Sequence, residues 1–357
     1  MIYYWILFFV ILFVTFAGKG EKISLFISVL LFFLFFAFRI GFTPDYYNYE
    51  QYFYQFHDSP FIDSDNRVEI GFQWLCIVLP SYRALLIVYT ALYSVCIYLA
   101  MQNYIHRRYW VLAFVMLFCY TPFVLGNMSG LRSGFVTCLF FIAIALKARY
   151  NKIVGISLSI GVMCVAYLFH KSSIVLFPLL LIPKSPLSDK YRNMLDFFIA
   201  FFVIVVFLFA DRWNQVALSI SDQMFEDNSY SVYFENNKDY NYNVVLIVKD
   251  VVVITLLYIT LRFIKEEKCL EKNLFLKYTA VFYLIYLLPG SIGLIARFYY
   301  YFAFPCIVGT FYLIGGADKR IRQIYLSCVF IVILWMLFFF YRSAAIDFFM
   351  EYDTVLF

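Results

Sequence analysis

Charge is scarce in this sequence. Only 14% of its 357 residues are Asp, Glu, Lys or Arg, whereas a soluble domain carries about a quarter, so a water-soluble globule is excluded. Histidine is scarcer, with three in the chain. No Walker loop, GxSxG elbow or HExxH occurs. There is no Asp-rich metal motif, so no metal and no cofactor is implied. The eight cysteines make no CxxC or Cys/His spacing and read as small buried hydrophobes. The first apolar run lacks a basic leader and a small-residue cleavage site, so no cleavable signal is expected. The alternation of a membrane barrel is absent. So is a basic patch with interleaved stacking aromatics, which leaves nucleic acid out as a partner.

What is abundant is apolar: 64% of the chain, with 45 Phe and 32 Tyr. Phe suits a lipid-facing surface; Tyr suits interfaces and polar cavities, with its ring buried and its hydroxyl wet. Apolar runs of about 20 residues, long enough to cross a hydrocarbon core of roughly 30 Å, are separated by short charged loops. They must be helices, because single strands leave their backbone unsatisfied in lipid. The runs predict helices near 2–17, 23–38, 83–102, 110–125, 131–147, 153–169, 172–183, 194–210, 244–263, 274–290, 297–315 and 323–341. The shorter stretch 71–80, ended by Pro80, reads as interfacial or re-entrant. The expected fold is an all-α polytopic membrane protein of about 12 transmembrane helices, with residues 1–357 as a single transmembrane domain in contact with the bilayer.

Alternate loops hold most of the Lys and Arg, from Lys19 and Lys22 to Lys319, Arg320 and Arg322. By the positive-inside rule those loops are cytoplasmic, and both termini lie outside. The net +5 then divides into a basic inner face and an acidic outer one. Two outer loops, 39–70 and 211–243, are long and rich in Tyr, Asn and acids. Aromatic faces stack on sugar rings while Asn and carboxylates bond hydroxyls, so these loops form the expected substrate surface.

Ionisable groups at the ends of spans are costly and point to function. FRIGFTPDYYNY places Arg39 after an apolar run, then Gly41 and Pro44 as breakers, then Asp45, Tyr46 and Tyr49. Arg39 reads either as a snorkelling interface residue or as a carboxylate-oriented guanidinium that meets an anionic head group. Glu69 opens EIGF and either offsets a helix dipole or faces the outer cavity. In NMSGLRSGF, Gly126, Gly130 and Gly134 recur every four residues and permit close approach. Asn127 and Arg132 lie in the same motif, and a guanidinium beside the open N–H groups of a helix start suits phosphate. His170 in HKSS is a structural hydrogen-bonding residue or a general base. Arg297 in ARFYYYF, with Tyr300 following, can hold a second phosphate or a sugar. Several arginines on one face imply an anion at head-group depth: a pyrophosphate-linked lipid, with its tail along the helices.

The order FRIGFTPDYYNY, EIGF, NMSGLRSGF, HKSS, ARFYYYF resembles the EpsG-like branch of Wzy polysaccharide (O-antigen) polymerases. The likeness is continuous over the first half and returns near residue 297. Members often have Gln after the arginine of the NMSGLR motif; Ser133 stands there in this chain. The resemblance implies a GT-C-like glycosyltransferase bundle in a bacterial cytoplasmic membrane, with its active site facing outward. It would join undecaprenyl-pyrophosphate-linked oligosaccharide repeat units into a surface polysaccharide such as O-antigen, and its partners can include a chain-length regulator. Carried onto this sequence, Arg39, Arg132 and Arg297 would bind pyrophosphate, Asp45, Glu69 or His170 would orient or deprotonate the acceptor hydroxyl, and Tyr46, Tyr49 and Tyr300 would shape the sugar site. Two rivals stay open. An O-antigen ligase-like transferase would use the same donor. A flippase for the same lipid would favour midplane charges and symmetric repeats, and the chain shows neither.

Overall fold

The computed structural model describes residues 2–58, 62, 68–186, 201, 244–287, 298–342 and 353–354. The expected helix at 194–210 (Phe201 apart), the loop 211–243 and Arg297 lie outside the described residues.

The described chain is helical almost throughout. Its helices are α1 (Ile2–Ala17), α2 (Lys22–Ala37), α3 (Tyr46–Asp58), α4 (Ile70–Val78), α5 (Tyr82–Tyr104), α6 (Trp110–Cys119), the single turn α7 (Asn127–Ser129), α8 (Leu131–Arg149), α9 (Lys152–Phe169), α10 (Val244–Glu266), α11 (Leu270–Leu287), α12 (Ala303–Gly316) and α13 (Lys319–Arg342). A two-residue antiparallel pairing joins β1 (Arg39–Ile40) to β2 (Asp353–Thr354). Local sequence sets several boundaries. Ser81 caps α5 by accepting the Ala84 N–H at 3.2 Å, and Asn151 caps α9 by accepting that of Val154 at 3.0 Å.

Among the described residues, four helices are long and apolar enough to cross a membrane: α5, α8, α9 and the Lys319–Leu337 part of α13. Arg107–Cys119 with Pro122–Ser129, bent by 66°, makes a fifth if counted as one span. The chain is a multi-pass membrane protein. α1, α2 and α12 are apolar but shorter. α4 keeps to 9 residues, as the sequence predicts for a short apolar helix.

Two predicted helices are built differently. The run 110–125 breaks after Cys119 and resumes as a π-turn over Pro122–Gly126. The ladder breaks at Tyr120 (φ −83°, ψ 85°), and Pro122, two residues on, supplies no N–H to mend it. The run 172–183 forms two short 3-10 segments, Lys171–Leu176 and Pro178–Leu181, instead of one α-helix. Pro178 again removes a donor, and β-branched Ile174 and Val175 add little helical preference. The predicted helix 297–315 has a turn at Phe302, with α12 starting at Ala303.

The core lies around α5, α8 and α12. The apolar window of α8 is 61% buried while that of α9 is 22% buried, so α8 is central and α9 peripheral. Gly134 makes the close approach possible. A methyl there would lie 1.9 Å from the Tyr89 hydroxyl oxygen, so only a glycine lets α5 and α8 meet at this height.

Candidate functional site

α2 ends at a chain break that two arginines secure. Gly41, at φ +61°, takes the left-handed turn that lets the chain leave the helix. Arg39 is 1% exposed, and its guanidinium donates to the carbonyls of Phe36 and, at 2.8 Å, Met128. Arg83 of α5 donates to the carbonyls of Ala37 at 3.2 Å and Arg39 at 2.7 Å. Cations at the open carbonyls of a helix end satisfy those acceptors and offset the dipole. The expected carboxylate partner of Arg39 is elsewhere: Asp45, half-buried, accepts from the Ser129 hydroxyl at 3.0 Å. No Arg39–Asp45 ion pair occurs among the described residues.

The centre of the cluster is Glu69. It precedes α4 in extended conformation and is 6% exposed. One carboxylate oxygen takes a short hydrogen bond from the Arg132 guanidinium. The other accepts from Nδ1 of His170 at 2.8 Å and from the Lys171 N–H at 3.1 Å. Burial alone would raise the Glu69 carboxyl. The His170 hydrogen bond and the charge of Arg132 overcome it and hold the group at about 2. Glu69 is therefore ionised near neutrality and can only accept, so Nδ1 of His170 carries a proton. In neutral His170 the lone pair then lies on Nε2, the atom turned away from Glu69.

Each partner is placed by a helix end. Arg132 lies in the first turn of α8, with its side chain 21% exposed and its guanidinium carbon 5.9 Å from the centre of the Tyr49 ring. His170 ends α9 in an extended conformation (φ −160°, ψ 110°), after which the chain packs back beside the helix, and its side chain is 15% exposed. Three motifs far apart in sequence thus meet in one partly open ion cluster.

The other candidates surround it. Tyr49 is buried beneath Arg132, and burial raises its phenol, which stays neutral. Tyr46 is buried, with its ring edge-on to that of Tyr82 and its carbonyl accepting the Tyr82 hydroxyl at 3.0 Å. Asn127 is fully buried. It donates to the carbonyls of Phe123 at 2.9 Å and Tyr300 at 3.3 Å and accepts from Thr137 at 2.7 Å. It clasps the turn before α8 to the Phe298–Tyr301 stretch. Tyr300 itself is half-buried. His57 is anchored on the Cys76 carbonyl at 3.1 Å, and of the cysteines expected to be buried, Cys164 and Cys269 are exposed and Cys328 is half-buried.

Sequence reasoning missed Arg83, Ser172 and Tyr301. Ser172 and Tyr301 share a hydroxyl–hydroxyl hydrogen bond of 2.8 Å that ties the HKSS turn to the ARFYYYF motif. Both residues stand inside motifs that the sequence singles out, which was the available signal. Among the described residues, no three His, Cys, Asp or Glu side chains converge as metal ligands.

The chain's sequence matches one family pattern, that of the EpsG family, over residues 22–354. No curated protein and no solved structure matches it.

Proposed function

Because the chain belongs to the EpsG family, a match that carries an exopolysaccharide or O-antigen polymerase-like role, we propose that it is a Wzy-type glycosyltransferase. It joins undecaprenyl-pyrophosphate-linked oligosaccharides on the outer face of a bacterial cytoplasmic membrane. Residues 1–357 make a single GT-C-like transmembrane domain of about 12 spans, with 39–70 and 211–243 as the substrate surface. Loops with most of the Lys and Arg on the opposite face support this orientation.

The observation that carries the reading is the Glu69 carboxylate held between Arg132 and His170. It keeps a fixed cation and a tautomer-locked imidazole side by side at the ends of two helices. Sugar transfer from a lipid pyrophosphate needs both. The acceptor hydroxyl oxygen bonds to the anomeric carbon of the donor sugar. The bond from that carbon to the pyrophosphate oxygen breaks, and its electron pair leaves with the pyrophosphate. The hydroxyl proton passes to Nε2 of His170. Arg132 meets the charge growing on the leaving group, as a preorganised guanidinium does best. Glu69 orients both groups and stabilises the imidazolium. Arg297 holds the second phosphate, and Tyr49 and Tyr300 border the sugar. Arg39, committed to carbonyls, and Asp45, bonded to Ser129, support the wall from behind.

The test is gene deletion in the host, with the surface polysaccharide displayed on a gel. A polymerase loss leaves single capped repeat units. A ligase loss leaves none attached, and a flippase loss traps units inside. A ladder of normal length after deletion overturns the reading.

A further inference from the structure

The C-terminal end of α9 and the chain that follows it border an open, apolar recess of about 570 Å³ lined by Cys164, Val165, Tyr167, Leu168, Ile174 and Phe177. That volume is within the range of ligand pockets, several hundred Å³. One wall is a helical face, since Cys164, Tyr167 and Leu168 follow i, i+3, i+4 spacing along α9. The other wall comes from the 3-10 turn. There, side chains three apart eclipse, which aligns Ile174 with Phe177. The extended conformation of His170 sets the two walls apart, because it stops α9 and turns the chain back beside it.

This recess lies beside the ion cluster, joined to it through Leu168 and Gly71. Leu168 lies two residues before His170, whose ring holds Glu69. The Leu168 carbonyl packs on Gly71 so closely that a methyl at Gly71 would lie 2.7 Å from its oxygen. Gly71 is itself two residues after Glu69. One end of a hydrocarbon recess is thus fixed against a cluster that contains Arg132 and the exposed Lys171. The complementary ligand is an amphiphile with an anionic head and an apolar chain. A flat lipid-facing helix would give no such recess to one chain over another.

We infer that this recess holds the first isoprene units of a polyprenyl chain while its pyrophosphate meets Arg132. The inference rests on the polymerase reading for the identity of the ligand, and it adds the surface that selects the carrier. The tail already lies in hydrocarbon, so selection here comes from close packing of the branched isoprene units against the two walls rather than from exclusion of water, and it would hold the donor by its tail independently of its sugars.

The experiment uses the full chain in nanodiscs of phosphatidylethanolamine and phosphatidylglycerol, with a benzophenone-bearing polyprenyl diphosphate that carries no sugar. Photo-adducts mapped by mass spectrometry are expected between Cys164 and Phe177. Excess undecaprenyl pyrophosphate should reduce them about tenfold, and so should Leu168→Trp, which fills the recess. Leu168 is 47% and Ile174 57% exposed, so Ile174→Trp gives a second filling variant from the opposite wall that the fold tolerates. Adducts elsewhere overturn the inference. So do adducts at the recess that a benzophenone phospholipid gives equally and undecaprenyl pyrophosphate does not displace, which would mean bulk lipid. Occupation by another segment of this chain, seen as an internal cross-link from Cys164, overturns it as well. The polymerase reading fails separately. If Leu168→Trp cells make a normal ladder, only the recess assignment falls; if adducts map correctly but gene deletion leaves the ladder intact, only the polymerase assignment falls.

Discussion

The two ends of α8 treat positive charge in opposite ways. Arg132, in the first turn, faces the Glu69 carboxylate. Lys147, about four turns and roughly 22 Å further along, faces only main-chain oxygens, donating at 2.5 Å to the carbonyls of Leu180 and Ile182. Lys277 does the same for Pro183 and Ser185 at 2.7 and 2.6 Å, and Lys184 for Ala148 and Tyr150. These lysines finish helix and 3-10 ends whose carbonyls would otherwise be orphaned. At the Arg132 end, formal charges meet each other and a titratable ring. At the lysine end, cations meet neutral dipoles. The first arrangement changes with protonation and with a competing anion. The second only holds chain segments together.

Substitutions can break this contrast, with the largest effect at the Arg132 end. Arg132→Ala should abolish polymer at unchanged protein level, read by gel and by immunoblot. If Arg132→Ala polymerises normally, the anion assignment at that residue is wrong. His170→Ala removes the proposed proton acceptor and should slow transfer about 10²–10⁴-fold in membranes given synthetic lipid-linked units. Glu69→Gln, which frees the tautomer, should approach that loss, with the deficit in turnover rather than in apparent donor affinity. An equal fall in both variants' folding yield would instead make the cluster structural. At the other end, Lys147→Met should leave turnover per molecule unchanged. It should lower the amount of folded protein, since each carbonyl left unpaired costs about 1–3 kcal/mol; fluorescence-detected size exclusion reads this. The smallest effect is acid sensitivity. The Glu69 carboxyl is lowered from 4.5 to about 2 on folding. Its stabilisation is complete above 4.5 and is lost as pH falls toward 2. A melting series over that window should show a drop in wild type that Glu69→Gln lacks.

Much of the membrane architecture is legible in the sequence because hydropathy reports it directly. α1, α2, α5, α8 and α9 fall on apolar runs read within a few residues. The break after Cys119 was visible as Pro122, yet hydropathy alone continues through it. The run 172–183 was misread for a related reason: an apolar dozen does not reveal which hydrogen-bond ladder it will use. At the site, Glu69, Arg132 and His170 carried signals as charges at span ends, and the structure brings these three together. Arg39 carried the same signal and lies deeper, because an arginine after a helix looks alike in sequence whether it ends in water or on carbonyls. Arg83 escaped notice since its partners, the carbonyls of Ala37 and Arg39, leave no trace in side-chain chemistry.

The interruption at Gly130 has an electrical consequence. It sets two helix ends back to back: the carbonyl end of the turn Asn127–Ser129 and the amide end of α8. Opposed ends this close would largely cancel. Here Arg39 binds the Met128 carbonyl from below and neutralises the negative member alone. The positive member keeps its field at the first turn of α8, where Arg132 already stands. A buried arginine bonded to carbonyls can thus raise the potential at a neighbouring helix start, acting as a counterweight to a dipole.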